Sequence, residues 1–157
     1  MIQLLRSSTI DHVQIPKKIR NQIVQGFDST SDAHTFRFLR KRALIAPKST
    51  LPDLTGLECY VNEIGLNIDD HIHHTLLGME ILIAVLNDWK RLDQRLVMRA
   101  ILSVSSEFTH LTFHVVRPKE PYLDDNIDSY DQPIMFCDSD SSIHNLADLK
   151  NTALAPL

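Results

Sequence analysis

The stretch HLTFHV, residues 110–115, decides the fold class. Leu111, Phe113 and Val115 alternate with His110, Thr112 and His114, the two-residue period of an antiparallel strand with one face buried and the other in solvent. Arg117 and Pro118 stop the strand, because proline brings no N–H to a ladder. One more short strand, IMFC, follows Pro133. The preceding run, RLVMRAILSVS at 95–105, fits two periods: Met98, Ala100, Leu102 and Val104 alternate as in a strand, whereas Val97, Ile101 and Val104 recur as in a helix.

Further upstream, Ile72, Leu76, Met79, Ile83 and Leu86 recur at helical intervals, and Leu77, Ile81, Leu82 and Val85 widen the stripe until it is nearly all-round. This predicts a central buried helix opened by Asp69 or Asp70, with an interior strand at ILIAVL as the alternative. The apolar tract Leu76–Leu86 is broken by Gly78 and Glu80 and falls short of the ~20 residues that span a bilayer. Residues 57–68 read as a strand, with Cys59, Val61 and Ile64 on one side and Tyr60 and Asn62 on the other. Near the N-terminus, Pro16 starts a short helix with Ile19, Ile23 and Phe27 as its stripe and Gly26 near its end. The polar run Asp28–Ser31 breaks that pattern, and Ser31 or Asp32 caps a second helix through about Ile45. Pro47 ends this helix, residues 47–56 connect, and a short helix is predicted in the tail before Pro156. The fold class is α+β: N-terminal helices and a central apolar helix packed on a C-terminal antiparallel sheet.

The 157 residues fit one domain, 1–157, and a chain of this length buries roughly 68–70 % of its unfolded surface without metal or disulfide. At 43 % apolar and 23 % charged, the composition is that of a globular protein. Cys59 and Cys137 stand far apart with no CxxC and read as core thiols of a reducing compartment. The opening MIQLLRSSTIDHVQIPKK lacks the apolar run of a secretory signal, so a cytoplasmic location is expected. None of the four glycines forms a GxGxxG or GxxxxGK[ST] loop, which argues against a nucleotide-dependent enzyme. Ser103, Ser105 and Ser106 lack the GxSxG setting of a nucleophile elbow.

Charge is distributed unevenly. Residues 1–50 hold nine Lys or Arg against three Asp, while the remaining 107 hold seven basic and seventeen acidic residues. Between Lys119 and Lys150 the sole basic side chain is His144, against eight carboxylates. Within that tract Tyr122 and Tyr130 are interleaved with Glu120, Asp124, Asp125, Asp128 and Asp131, and these seven residues are the expected binding surface for a basic protein partner. Tyrosine supplies contact area there, and carboxylates steer and pair with cations.

Two other readings compete. Arg37, Arg40, Lys41 and Arg42, with Phe36 and Phe38, suit a phosphate-contacting segment over residues 36–48, although the acidic tract would repel a polyanion. Asp69, Asp70, His71, His73 and His74 form the densest set of metal-ligand types, and His110 with His114 share a strand face, so a metal- or histidine-dependent hydrolase is the other alternative. The metal set lacks an HExxH signature and the histidine pair lacks an anion-stabilising partner, so neither a metal nor a cofactor is expected.

In its acidity, size and lack of catalytic motifs, and in the tract KEPYLDDNIDSYDQPIMFCDSD at 119–140, the chain resembles the bacterial immunity proteins of contact-dependent growth inhibition and related toxin systems. The resemblance implies a cytoplasmic protein that is not an enzyme, and that neutralises a cognate toxin, often a basic nuclease, by stoichiometric binding.

Overall fold

The structure is a computed structural model and describes residues 13–30, 32–47, 49–66, 71–92, 95–105, 107–123, 126, 129–145 and 147–148. Its architecture is α+β. Helix α1 (Lys17–Ile23) follows Pro16 and buries Ile23. Gly26 then turns the chain with φ 72°, a left-handed conformation open to a residue without Cβ. Strands β1 (Phe27–Thr30) and β2 (Ala33–Phe36) form an antiparallel hairpin.

The hairpin replaces the first half of the predicted second helix. Thr30 pairs with Ala33, and Asp32, before Ala33, adopts φ 68°, a left-handed conformation that aspartate tolerates. The pairing also places Phe27 opposite Phe36, their rings stacked at 4.4 Å, and so supplies apolar contact that a helix capped at Asp32 would forgo. Of the predicted helix there remain a single 3₁₀ turn (Arg37–Leu39) and the short α2 (Arg40–Ile45), neither of which has a buried residue.

The expected strand at 57–68 is also corrected. Leu54–Val61 is helix α3, capped by Asp53, whose carboxylate accepts from the Gly56 N–H at 2.7 Å. Strand β3 is confined to Glu63–Leu66. The two ambiguous runs resolve in opposite directions: His71–Leu92 is the long central helix α4, and Met98–Val104 is strand β4. Strands β5 (Thr109–Val115) and β6 (Ile134–Asp138) complete the sheet. No helix among the described residues is long and apolar enough to cross a membrane.

The larger sheet has the order β3-β5-β4-β6 with every neighbour antiparallel. Helix α4 carries the chain from β3 to β4 along the inner face of the sheet, and Leu77, Ile81, Leu82 and Val85 meet Ala100, Leu102, Leu111 and Phe113 in one fully buried cluster. At Gly78 the helix comes so close that an added methyl would stand 2.8 Å from Leu102 Cδ1 and 3.0 Å from Thr109 Cγ2.

The small hairpin is joined to the large sheet chiefly by side chains of α3. Glu58 and Asn62 stand one helical turn apart and are both fully buried. Glu58 accepts from His34 N and Val115 N at 2.7 Å each. Asn62 accepts from Phe36 N at 2.9 Å and donates to His34 O and Phe113 O at 2.8 and 3.1 Å. The two side chains therefore take up edge groups of β2 and of β5 where no strand lies between them. Arg117 neutralises the carboxylate with a two-pronged contact, 2.7 Å to Oε1 and 3.0 Å to Oε2.

Replacing Glu58 with alanine removes the anionic partner of the partly buried Arg117 guanidinium and strands two edge N–H groups, and should lower stability by about 3–5 kcal/mol, read as a fall in the urea midpoint. Gly78→Ala should cost about 1–3 kcal/mol by overpacking, without the change in Arg117 environment that Glu58→Ala would bring.

Candidate partner-binding face

Topology determines where the acidic segment goes. Strands β5 and β6 both run antiparallel to the β4 strand between them and so run parallel to each other. A parallel connection must return along the whole sheet, and residues 116–133 make that return. With α4 on the inner face, the described parts of the segment meet outer-face side chains, Tyr122 that of His114 and Gln132 that of Ser103.

It is fastened in order. Arg117 is clamped by Glu58 at the start. Glu120 turns inward and accepts from Thr55 N at 2.9 Å and Thr55 Oγ1 at 3.0 Å, adding a second carboxylate to the N-terminal turn of α3, where free N–H groups favour negative charge. The Tyr122 ring lies 5.8 Å from that of His114, and its hydroxyl lies near the Cys59 thiol. At the far end Gln132 meets Ser103 Oγ at 3.0 Å and Pro133 O accepts from Val104 N.

Tyr122 corrects one expectation. His114 was expected on the solvent side of its strand, yet it is only 4 % exposed. Its Nδ1 lies 3.0 Å from Val115 O, and burial pushes its pKa down, so the ring is neutral. Burial, with the Glu58 and Asp53 carboxylates adding to it, pushes the Cys59 thiol far up and keeps it protonated. Both cysteines are free and buried.

Of the seven expected binding residues, Glu120 is committed to α3, while Tyr122 and Tyr130 are 48 % and 38 % exposed and Asp131 is exposed. Asp124, Asp125 and Asp128 lie outside the described residues. Sequence reasoning missed Phe136, which points out of β6 with 40 % exposure, and Arg99, whose guanidinium sits 4.2 Å above that ring while holding Asp138 with two contacts of 2.7 Å. The alternation of Ile134, Phe136 and Asp138 against Met135 and Cys137 carried the signal for Phe136. The described part of the arrangement offers exposed aromatic area with the Asp131 carboxylate in the same segment, suited to binding cationic groups.

The competing sets are dispersed. His74 is buried under α4 against the Thr109 hydroxyl, and His110 lies 2.8 Å from Glu63 on the outer face. His110 and His114 are four residues apart on one strand, about 13 Å, which is too far to act on one bond. Asp69, Asp70 and the His71 side chain lie outside the described residues, among which no three His, Cys, Asp or Glu are placed to hold a metal. In the basic segment, Arg37 is paired with Asp28 at 2.9 Å and Arg42 with Glu63 at 2.8 Å, with Arg42 also over the Tyr60 ring. Arg40 and Lys41 remain exposed, and Lys48 is outside the described residues.

Over residues 1–150 the chain matches the family described as Uncharacterized protein PM0498 family, and it belongs to that family. No curated protein and no solved structure matches it.

Truncating Tyr122 to alanine should open the cover over Cys59 while leaving Cys137 protected. Native-state thiol labelling of Cys59 should then accelerate about tenfold or more, corresponding to at least ~1.4 kcal/mol of lost local protection.

Proposed function

We propose that this member of the PM0498 family is an immunity-type protein. It acts in the cytoplasm and neutralises a basic toxin domain, most simply a nuclease, by stoichiometric binding and without chemistry of its own. The observation that supports the reading is the outer-face connection and the strand it leads into: they belong to a stretch free of Lys and Arg from 120 to 149, with Tyr122, Tyr130 and Phe136 exposed in it. Carboxylates on such a face occupy Lys and Arg that would otherwise meet substrate phosphates. Asp131 and the three aspartates at 124, 125 and 128 supply the charge, and the aromatic side chains supply the desolvated area.

The test is co-expression with the product of the neighbouring reading frame, followed by titration of the two purified proteins. A one-to-one complex that restores cell survival is the expected result. Neutralising Asp124, Asp125 and Asp128 together to asparagine should slow association and steepen dissociation, with each desolvated carboxylate lost costing about 2–5 kcal/mol. An unchanged affinity in the triple variant would overturn the reading.

A further inference from the structure

We propose that His114 is a proton-operated latch: with a neutral imidazole the Tyr122 side chain lies closed over it, and a second proton on the ring moves Tyr122 away from the sheet. The proposal concerns this chain alone and does not depend on the partner-binding reading.

The geometry begins with the tautomer. A carbonyl accepts but never donates, so the 3.0 Å contact to Val115 O places the hydrogen on Nδ1 and leaves Nε2 as a bare acceptor. That Nε2 is buried and has no hydrogen-bond partner among the described residues. A second proton would have to go there, producing an N–H with nothing to donate to and a cation with almost no water.

The surrounding charges do not rescue it. Across the ladder from His114 stands Arg99 on β4, itself held by Asp138 on β6. Arg117, at the start of the outer-face segment, adds a second nearby cation. On α3 the Cys59 thiol is protonated, and the Glu58 carboxylate, the one attractive charge, already takes His34 N and Arg117 on one oxygen and Val115 N and Arg117 on the other. The Tyr122 ring, 5.8 Å from the imidazole, belongs to a connection rather than to a strand or helix and is half exposed. Moving that ring disturbs less than moving Arg117, which is held by Glu58, or the strands and α3.

The sign follows from the same geometry. The closed state holds His114 below its ordinary value, so the closing free energy is fully present above the unperturbed histidine pKa and is lost as pH falls through the depressed one.

The protein has three tyrosines, so 3-fluorotyrosine incorporation gives three ¹⁹F resonances, with Tyr122→Phe identifying the one of interest. As pH falls from about 8 through the depressed His114 titration, the Tyr122 resonance should move towards the position of free fluorotyrosine. Its midpoint should match that of the His114 ¹⁵N shift, and the Tyr60 resonance should stay in place. In His114→Asn, which keeps a donor towards Val115 O but does not titrate, the movement should vanish. A Tyr122 resonance that stays fixed while wild-type His114 titrates would overturn the proposal, and so would one that moves equally in His114→Asn. If that variant fails to fold, the coincidence or mismatch of the two wild-type midpoints decides.

Discussion

The Glu58 carboxylate, fully buried and met by four donors, is the interaction on which the arrangement of parts depends. A charge taken out of water is tolerated only when its lone pairs are filled, and here the donors come from three separate places: the hairpin, the end of β5 and the start of the outer-face segment. Filling the carboxylate therefore fixes the relative position of all three. Asn62, one turn further along α3, repeats the device with a neutral amide. Two side chains thus do what a missing strand would do, and the hairpin stays beside a sheet it never joins by backbone hydrogen bonds.

From that junction the outer face follows. Arg117 cannot leave Glu58 without stranding a buried charge, so the segment must depart from that corner of the sheet, and the parallel relation of β5 and β6 obliges it to return at the opposite end. Between those two fixed points Glu120 and Tyr122 are intermediate fastenings. A binding surface on a connection is commonly mobile; this one is tied down at both ends and twice near its start.

How much of this was legible in the sequence depends on which residues were apolar. The alternation at 110–115 and the dense stripe from Leu76 to Leu86 are signals written in hydrophobic side chains, and both elements form where the periodicity places them. Helix α3 was misread because two of its four buried residues, Thr55 and Glu58, are polar and the other two are Cys59 and Val61. A half-polar buried face has no clear hydrophobic period, and the alternation of Cys59 with Val61 imitated a strand. The hairpin was missed because its turn carries Asp32 in place of the Asn-Gly or Asp-Gly pair that announces such turns. For the binding face, Tyr122 and Tyr130 could be picked out from composition, but the inward commitment of Glu120 and the pairing of Asp138 with Arg99 depend on contacts across 65 and 39 positions of chain. Charge counting treats all carboxylates alike, and only folding separates those spent inside from those left outside.

The single tryptophan occupies an informative place. Trp89, near the end of α4, presents its indole edge-on to Phe27 and His34 of the hairpin and donates its N–H to Leu96 O. The tyrosines stand elsewhere: Tyr60 on α3 and the other two on the outer-face segment. Indole emission therefore reports whether the hairpin is docked on the long helix, while the Tyr122 ring, beside His114, reports the outer face of the sheet. The molecule thus carries two separate optical gauges, and loosening at one side can be told from loosening at the other without adding a label.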